Sequence, residues 1–191
     1  MIRAHSDSLK SHFLKGLLIA GTTGIAVALL VWSLNAFGPR AFVFAFLVVW
    51  LPMAWLGLVS RVVVPRLPER YHALRGFERN GHLYEVVGVR VVKRLLRRGP
   101  LAAFNPDLHL PVERTPKNLA RLDQRMRDAE ASHFILLVLT LGVVVNALVR
   151  RWWSAGSWTL LFDMVINGYP VMLQRYNRAL LGKRFNPQFT G

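Results

Sequence analysis

Apolar residues in this chain come in long blocks. Leu17 to Phe37 runs for 21 positions without a charge, and Ala41 to Val64 runs for 24 with only Arg61 near one end. Each block reaches the roughly 20 apolar residues that a helix needs to cross the hydrocarbon core. The first is too long for a signal-peptide core and is followed by the turn signal Gly38-Pro39-Arg40, so it reads as a retained span. A third block, Phe134 to Val149, stops at Arg150-Arg151-Trp152-Trp153, the basic and aromatic composition of a membrane interface. A fourth, Ser157 to Leu173, is interrupted by Asp163, Asn167 and Pro170. The pattern predicts an all-α integral membrane protein forming one membrane domain over residues 1–191. Its four transmembrane helices fall at about 17–37, 41–64, 134–149 and 157–173, with a polar loop over 65–132.

Within that loop six prolines, from Pro65 to Pro116, leave room only for short pieces. From Tyr84 to Arg98 the period is helical: Val91, Val92, Leu95 and Leu96 fall on one side and Arg90, Lys93, Arg94 and Arg97 on the other. This predicts an amphipathic helix lying in the membrane interface, its basic side facing phosphates of lipid or of a bound donor. A second helical run begins at Thr115-Pro116, where Thr115 suits the cap and Pro116 the first turn, and continues into the third span. It carries Glu130 and His133 as neighbours at i and i+3.

In the fourth span, ideal helical geometry gathers Asp163, Asn167, Pro170, Gln174, Asn177 and Arg178 into one stripe. Lipid cannot satisfy amides and carboxylates, so the stripe must face other helices or a wet cavity. Helix-to-helix gluing accounts for Asp163 and Asn167 as readily as function does. The string Gln174-Arg175-Tyr176-Asn177-Arg178 exceeds what snorkelling anchors require, and paired arginines suit phosphate or carboxylate.

The net charge of +15 raises the question of nucleic acid, but location answers it. Twenty-one of the 25 basic residues fall before the first span, in the central loop or after the last span, whereas Arg40, Arg150 and Arg151 occupy the other side. The positive-inside bias therefore places both termini and the central loop in the cytoplasm, with the protein multi-pass in the cell membrane. Topology accounts for the charge, no recognition motif accompanies it, and no nucleic-acid partner is expected. The absence of cysteine removes thiolate and disulfide chemistry.

A carboxylate beside an imidazole at a helix's entry into the membrane suits a base oriented by an acid, and equally a helix-surface ion pair. A metal hydrolase that adds His109 or His82 to Glu130 and His133 would lack the usual His-Glu-x-x-His zinc helix. A third reading is a lipid-binding scaffold whose polar stripe only joins helices.

Ala129-Glu130 and His133, then Asn167 and Gln174-Arg175-Tyr176-Asn177-Arg178, together with Glu78, Gly81, Val89-Arg90 and Lys93 in the loop, resemble the glycosyl-4,4'-diaponeurosporenoate acyltransferase family of bacterial carotenoid biosynthesis. The likeness covers roughly residues 65–184. It departs from the family at Val92, where a tryptophan is usual, and in the wider spacing of Pro170 from Asn167. The resemblance implies transfer of a long acyl chain from acyl-CoA or acyl carrier protein to a hydroxyl of an amphiphilic acceptor dissolved in membrane lipid, without a cofactor. His133 would then be the base and Glu130 its orienter. Lys93, Asn167, Gln174, Arg175, Tyr176, Asn177 and Arg178 would bind the substrates, with Arg175, Arg178 and Lys93 on the donor's anionic part.

Overall fold

A computed structural model describes residues 2–60, 62–98 and 110–185, with the backbone alone for residues 2–12 and Arg98. The described residues are helical and contain no strand: α1 (Ile2–Phe37), α2 (Phe42–Val59), α3 (Glu69–His72), α4 (His82–Val86), α5 (Val89–Arg98), α6 (Pro116–Val149), α7 (Trp153–Asp163), a π-helical segment (Met164–Gly168) and α8 (Tyr169–Phe185). The protein is an all-α membrane protein. Among the described residues three helices are long and apolar enough to cross a bilayer: Phe13–Phe37 within α1, α2, and α6.

The differences from the predicted spans have local causes. The second span ends at Val59 rather than 64, because the chain turns there and then runs extended into Pro65, and a residue preceding proline is disfavoured in helix. The third begins far earlier than 134. Thr115 caps α6, its Oγ1 accepting from Asn118 N at 3.3 Å, and no proline interrupts the 34 residues that follow. The predicted fourth span, 157–173, is not among these three helices: there the chain forms α7, the π-helical segment and α8 in succession. Pro170 offers no N–H, and its ring crowds the carbonyl four residues back, which a widened π turn relieves. Gly88, at φ 81°, divides the amphipathic loop helix into α4 and α5.

The chain divides into two compact units: residues 1–64 with 136–166, and residues 65–135 with 167–191. In the first, α1 packs on α2 and α2 on α7. Phe42 meets Trp158 and Phe162 edge-on, with ring centroids at 4.9 and 5.1 Å. Trp55 Nε1 donates to Thr23 Oγ1 at 3.0 Å, joining α2 to α1. Phe13, Leu17, Ile25, Val31 and Trp32 stand exposed along α1, as side chains destined for lipid do.

The second unit holds α3, α4, α5, α8 and residues 116–135 of α6. One apolar cluster joins Tyr84 and Val89 to Leu173 and Tyr176; another joins Leu119, Leu122 and Met126 to Leu181. Side chains three and four apart on α8 thus meet α4 and α5 on one side and α6 on the other. In α5, Val89 is buried and Leu96 packs against the first cluster, while Val91 and Leu95 are exposed beside Arg90, Arg94 and Arg97. The predicted single apolar face is therefore split between the unit's core and its outer surface.

Candidate functional site

Every residue singled out from the sequence as catalytic or substrate-binding belongs to the second unit, and three of them, Glu130, Arg175 and Arg178, join one buried ionic network. Glu130 is fully buried on α6. Its Oε1 accepts from Arg175 Nη1 at 2.6 Å, and its Oε2 accepts from Arg178 Nη1 at 3.0 Å. His72 Nδ1 lies 3.5 Å from the same Oε2. Arg175 also grips Glu78 with two parallel bonds, Nε to Oε1 at 2.9 Å and Nη2 to Oε2 at 3.0 Å, and donates to the carbonyls of Tyr71 and Ala73. Arg178 Nε donates to Asp123 Oδ1 at 3.1 Å and its Nη1 to the His72 carbonyl at 2.8 Å. Asp123 in turn takes Arg127 at 2.6 Å, and Arg127 reaches Glu69.

Four of the chain's ten acids, Glu69, Glu78, Asp123 and Glu130, thus surround Arg127, Arg175 and Arg178. Three positive groups among four negative ones offer no net attraction to an incoming anion. Arg175 and Arg178, expected from the sequence to hold the anionic part of a donor, stand in a clamp that ties α3, α6 and α8 to the turn carrying Glu78. Glu130 likewise places both oxygens on guanidinium groups. Breaking one partner of such a buried pair typically costs about 3–5 kcal/mol, because the other charge is left uncompensated.

His133, one turn beyond Glu130, meets a different partner: its Nδ1 lies 3.2 Å from Asn167 Oδ1. With the amide oxygen as acceptor, Nδ1 carries the proton and Nε2 carries the basic lone pair. Asn167 is buried and belongs to the π-helical segment, a local widening often found where a helix must aim a functional side chain.

Tyr176 donates to Glu85 Oε1 at 2.8 Å, and Lys93 Nζ lies 5.3 Å above its ring. Burial, with a smaller push from Arg97, lowers the Lys93 ammonium to about 8. Burial works against the Glu78 carboxylate, yet the hydrogen bonds from Arg175 and Tyr84 prevail and hold it down at about 2; the Tyr84 bond is 2.5 Å. Burial also lowers His72, with Glu130 opposing. Gly81 stands at φ 76°, and a Cβ there would come within 3.1 Å of the Tyr176 ring, so both the turn and the close approach require glycine.

Gln174 and Asn177 are buried on α8, and Gln174 Oε1 and both amide atoms of Asn177 have no hydrogen-bond partner among the described residues. Asp163 belongs to the first unit. His82 is exposed, and His109 lies outside the described residues, as do Pro100, Pro106, Arg61 and the tail 186–191. No group of three acidic or histidine side chains arranged for a metal occurs among the described residues.

Sequence reasoning missed His72, Tyr71, Asp123, Arg127 and Glu69. The i,i+4 spacing of Asp123 and Arg127 on a helical run was the one legible signal for that group. His72 and Tyr71 sit in a four-residue helix with no periodicity to read.

The sequence profile of the glycosyl-4,4'-diaponeurosporenoate acyltransferase family matches residues 68–185, a segment that holds every residue of the ionic network and of the His133–Asn167 pair. No curated protein and no solved structure matches the chain. The match spans more than half of the sequence, and the chain belongs to the glycosyl-4,4'-diaponeurosporenoate acyltransferase family: it is a membrane acyltransferase.

Proposed function

We propose that the protein transfers a long-chain acyl group from acyl-CoA or acyl carrier protein to a hydroxyl of a membrane-dissolved lipid or glycosylated terpenoid, a sugar hydroxyl foremost. In this reading it is multi-pass in the cell membrane with both termini cytoplasmic. The observation that carries the mechanism is the 3.2 Å approach of His133 Nδ1 to Asn167 Oδ1. An imidazole protonated at Nδ1 and fixed by an amide has the tautomer that a general base needs. His133 Nε2 takes the acceptor's hydroxyl proton as that oxygen attacks the thioester carbonyl. The C–S bond breaks, the thiolate leaves, and the imidazolium returns the proton to sulfur.

Roles then divide by charge. Arg175 and Arg178 build the scaffold with Glu130, Glu78 and Asp123, while Arg94 and Arg97, exposed on α5, and Arg90, which lies 3.9 Å from Glu85 Oε2, face a donor's phosphates. Lys93 on the same helix and Tyr176 beside it complete the donor's surroundings.

Labelled acyl-CoA incubated with the purified protein and a host lipid extract should yield a new alkali-labile acylated lipid. A scaffold protein would yield none, and that result would end the enzymatic assignment of substrates made here.

A further inference from the structure

Four buried side chains of the second unit carry polar atoms with no hydrogen-bond partner among the described residues: His72 Nδ1, which lies 3.5 Å from Glu130 Oε2, Gln174 Oε1, Asn177 Oδ1 and Nδ2, and Arg178 Nη2. Their residues are only 4%, 8%, 7% and 0% exposed. Native proteins seldom leave buried polar atoms unmatched, and several within one cluster point to a partner outside the chain. They are neighbours. Gln174, Asn177 and Arg178 are three and four residues apart on α8 and share one side of it, and Arg178 Nη1 donates to the His72 carbonyl at 2.8 Å.

The chemistry of the set decides what it would hold. Gln174 Oε1 and Asn177 Oδ1 accept, Asn177 Nδ2 and Arg178 Nη2 donate, and His72 Nδ1 does either according to its tautomer. A phosphate or carboxylate wants donors only, and here it would also meet Glu130 and Asp123 lying against Arg178. A hydroxyl both donates and accepts, so several hydroxyls on one group satisfy the mixture. We infer that His72, Gln174, Asn177 and Nη2 of Arg178 form the subsite for a neutral polyhydroxylated head group, that of the acyl acceptor. The inference rests on the reading that the protein acylates a hydroxylated amphiphile, and it separates the residues that hold the head group from His133 and Asn167, which handle its proton.

The test uses the full chain in lipid nanodiscs and three probes with the same alkyl chain, octyl glucoside, octyl phosphate and octanol, titrated below micelle formation by calorimetry. Octyl glucoside should bind at least about tenfold more tightly than either of the others. Asn177→Leu and Gln174→Met replace unmatched amides with apolar groups of similar shape. Each should melt at or above the wild-type temperature and lose at least about tenfold in glucoside affinity. Gln174→Met carries the comparison if Asn177→Leu does not fold. Unchanged glucoside affinity in the folded variants, a preference for octyl phosphate, or glucoside binding no tighter than octanol would each overturn the subsite, the last marking the cluster as merely hydrated.

His133→Ala separates this inference from the catalytic reading. Glucoside binding lost in Asn177→Leu, together with full turnover in His133→Ala, would refute the base and leave the subsite standing. Turnover lost in His133→Ala, with glucoside binding intact in Asn177→Leu, would refute the subsite alone.

Discussion

At the scale of single residues, the centre of the second unit is defined by how its charges are committed. Glu130 looked like half of a catalytic pair because Glu-x-x-His spacing puts both side chains on one helix face. That spacing says nothing about partners from distant helices, and Arg175 and Arg178 take both oxygens. Glu130→Ala should therefore lower stability by about 3–5 kcal/mol in a reversible unfolding assay, with Arg178→Ala costing a similar amount and the double substitution far less than their sum. Lys93 offers a pH signature. Its folded-state value of about 8 lies below the ordinary 10.5, so between those limits the unfolded chain binds more protons and stability rises with pH. Wild-type melting temperature should climb from pH 8 toward pH 10, and Lys93→Met should flatten that climb.

At the scale of elements, the helices were legible where apolar blocks or caps were long and uninterrupted, as in α1, α2 and the Thr115-capped α6. The fourth span was read as one ideal helix, and its polar stripe was phased accordingly. The π-helical segment at Met164–Gly168 breaks that phase between Asp163 and Gln174. Pro170 signalled an irregularity, but proline spacing alone does not tell a kink from a π turn. The same segment holds Asn167 against His133, so the proposed mechanism makes function depend on the irregularity. Pro170→Ala restores a backbone N–H and lets the turn close as ordinary α-helix. The variant should melt no lower than wild type yet show a clearly reduced kcat for acyl transfer, because Asn167 is turned away from His133. An unreduced kcat would separate the π turn from catalysis.

At the scale of the whole molecule, hydropathy alone identified an all-α membrane protein, since bilayer thickness fixes how long an apolar helix must be. The string from Gln174 to Arg178 marked the right element without revealing its job. A sequence with 25 basic and ten acidic residues gives little hint that four of those acids are spent neutralising three arginines in one unit. Nor could it show that Glu78 and Glu130 are held by Arg175 while His133 stands against Asn167. What long-range pairing decides, periodicity cannot read.

The most direct trial is the rate of acyl transfer by His133→Ala in nanodiscs, measured with labelled acyl-CoA and the acceptor found in the lipid extract, on protein whose melting temperature matches wild type. Loss of a general base should slow the reaction by roughly 10²- to 10⁴-fold. A folded His133→Ala protein turning over at the wild-type rate would contradict the assignment of the base and of the Asn167 contact that orients it.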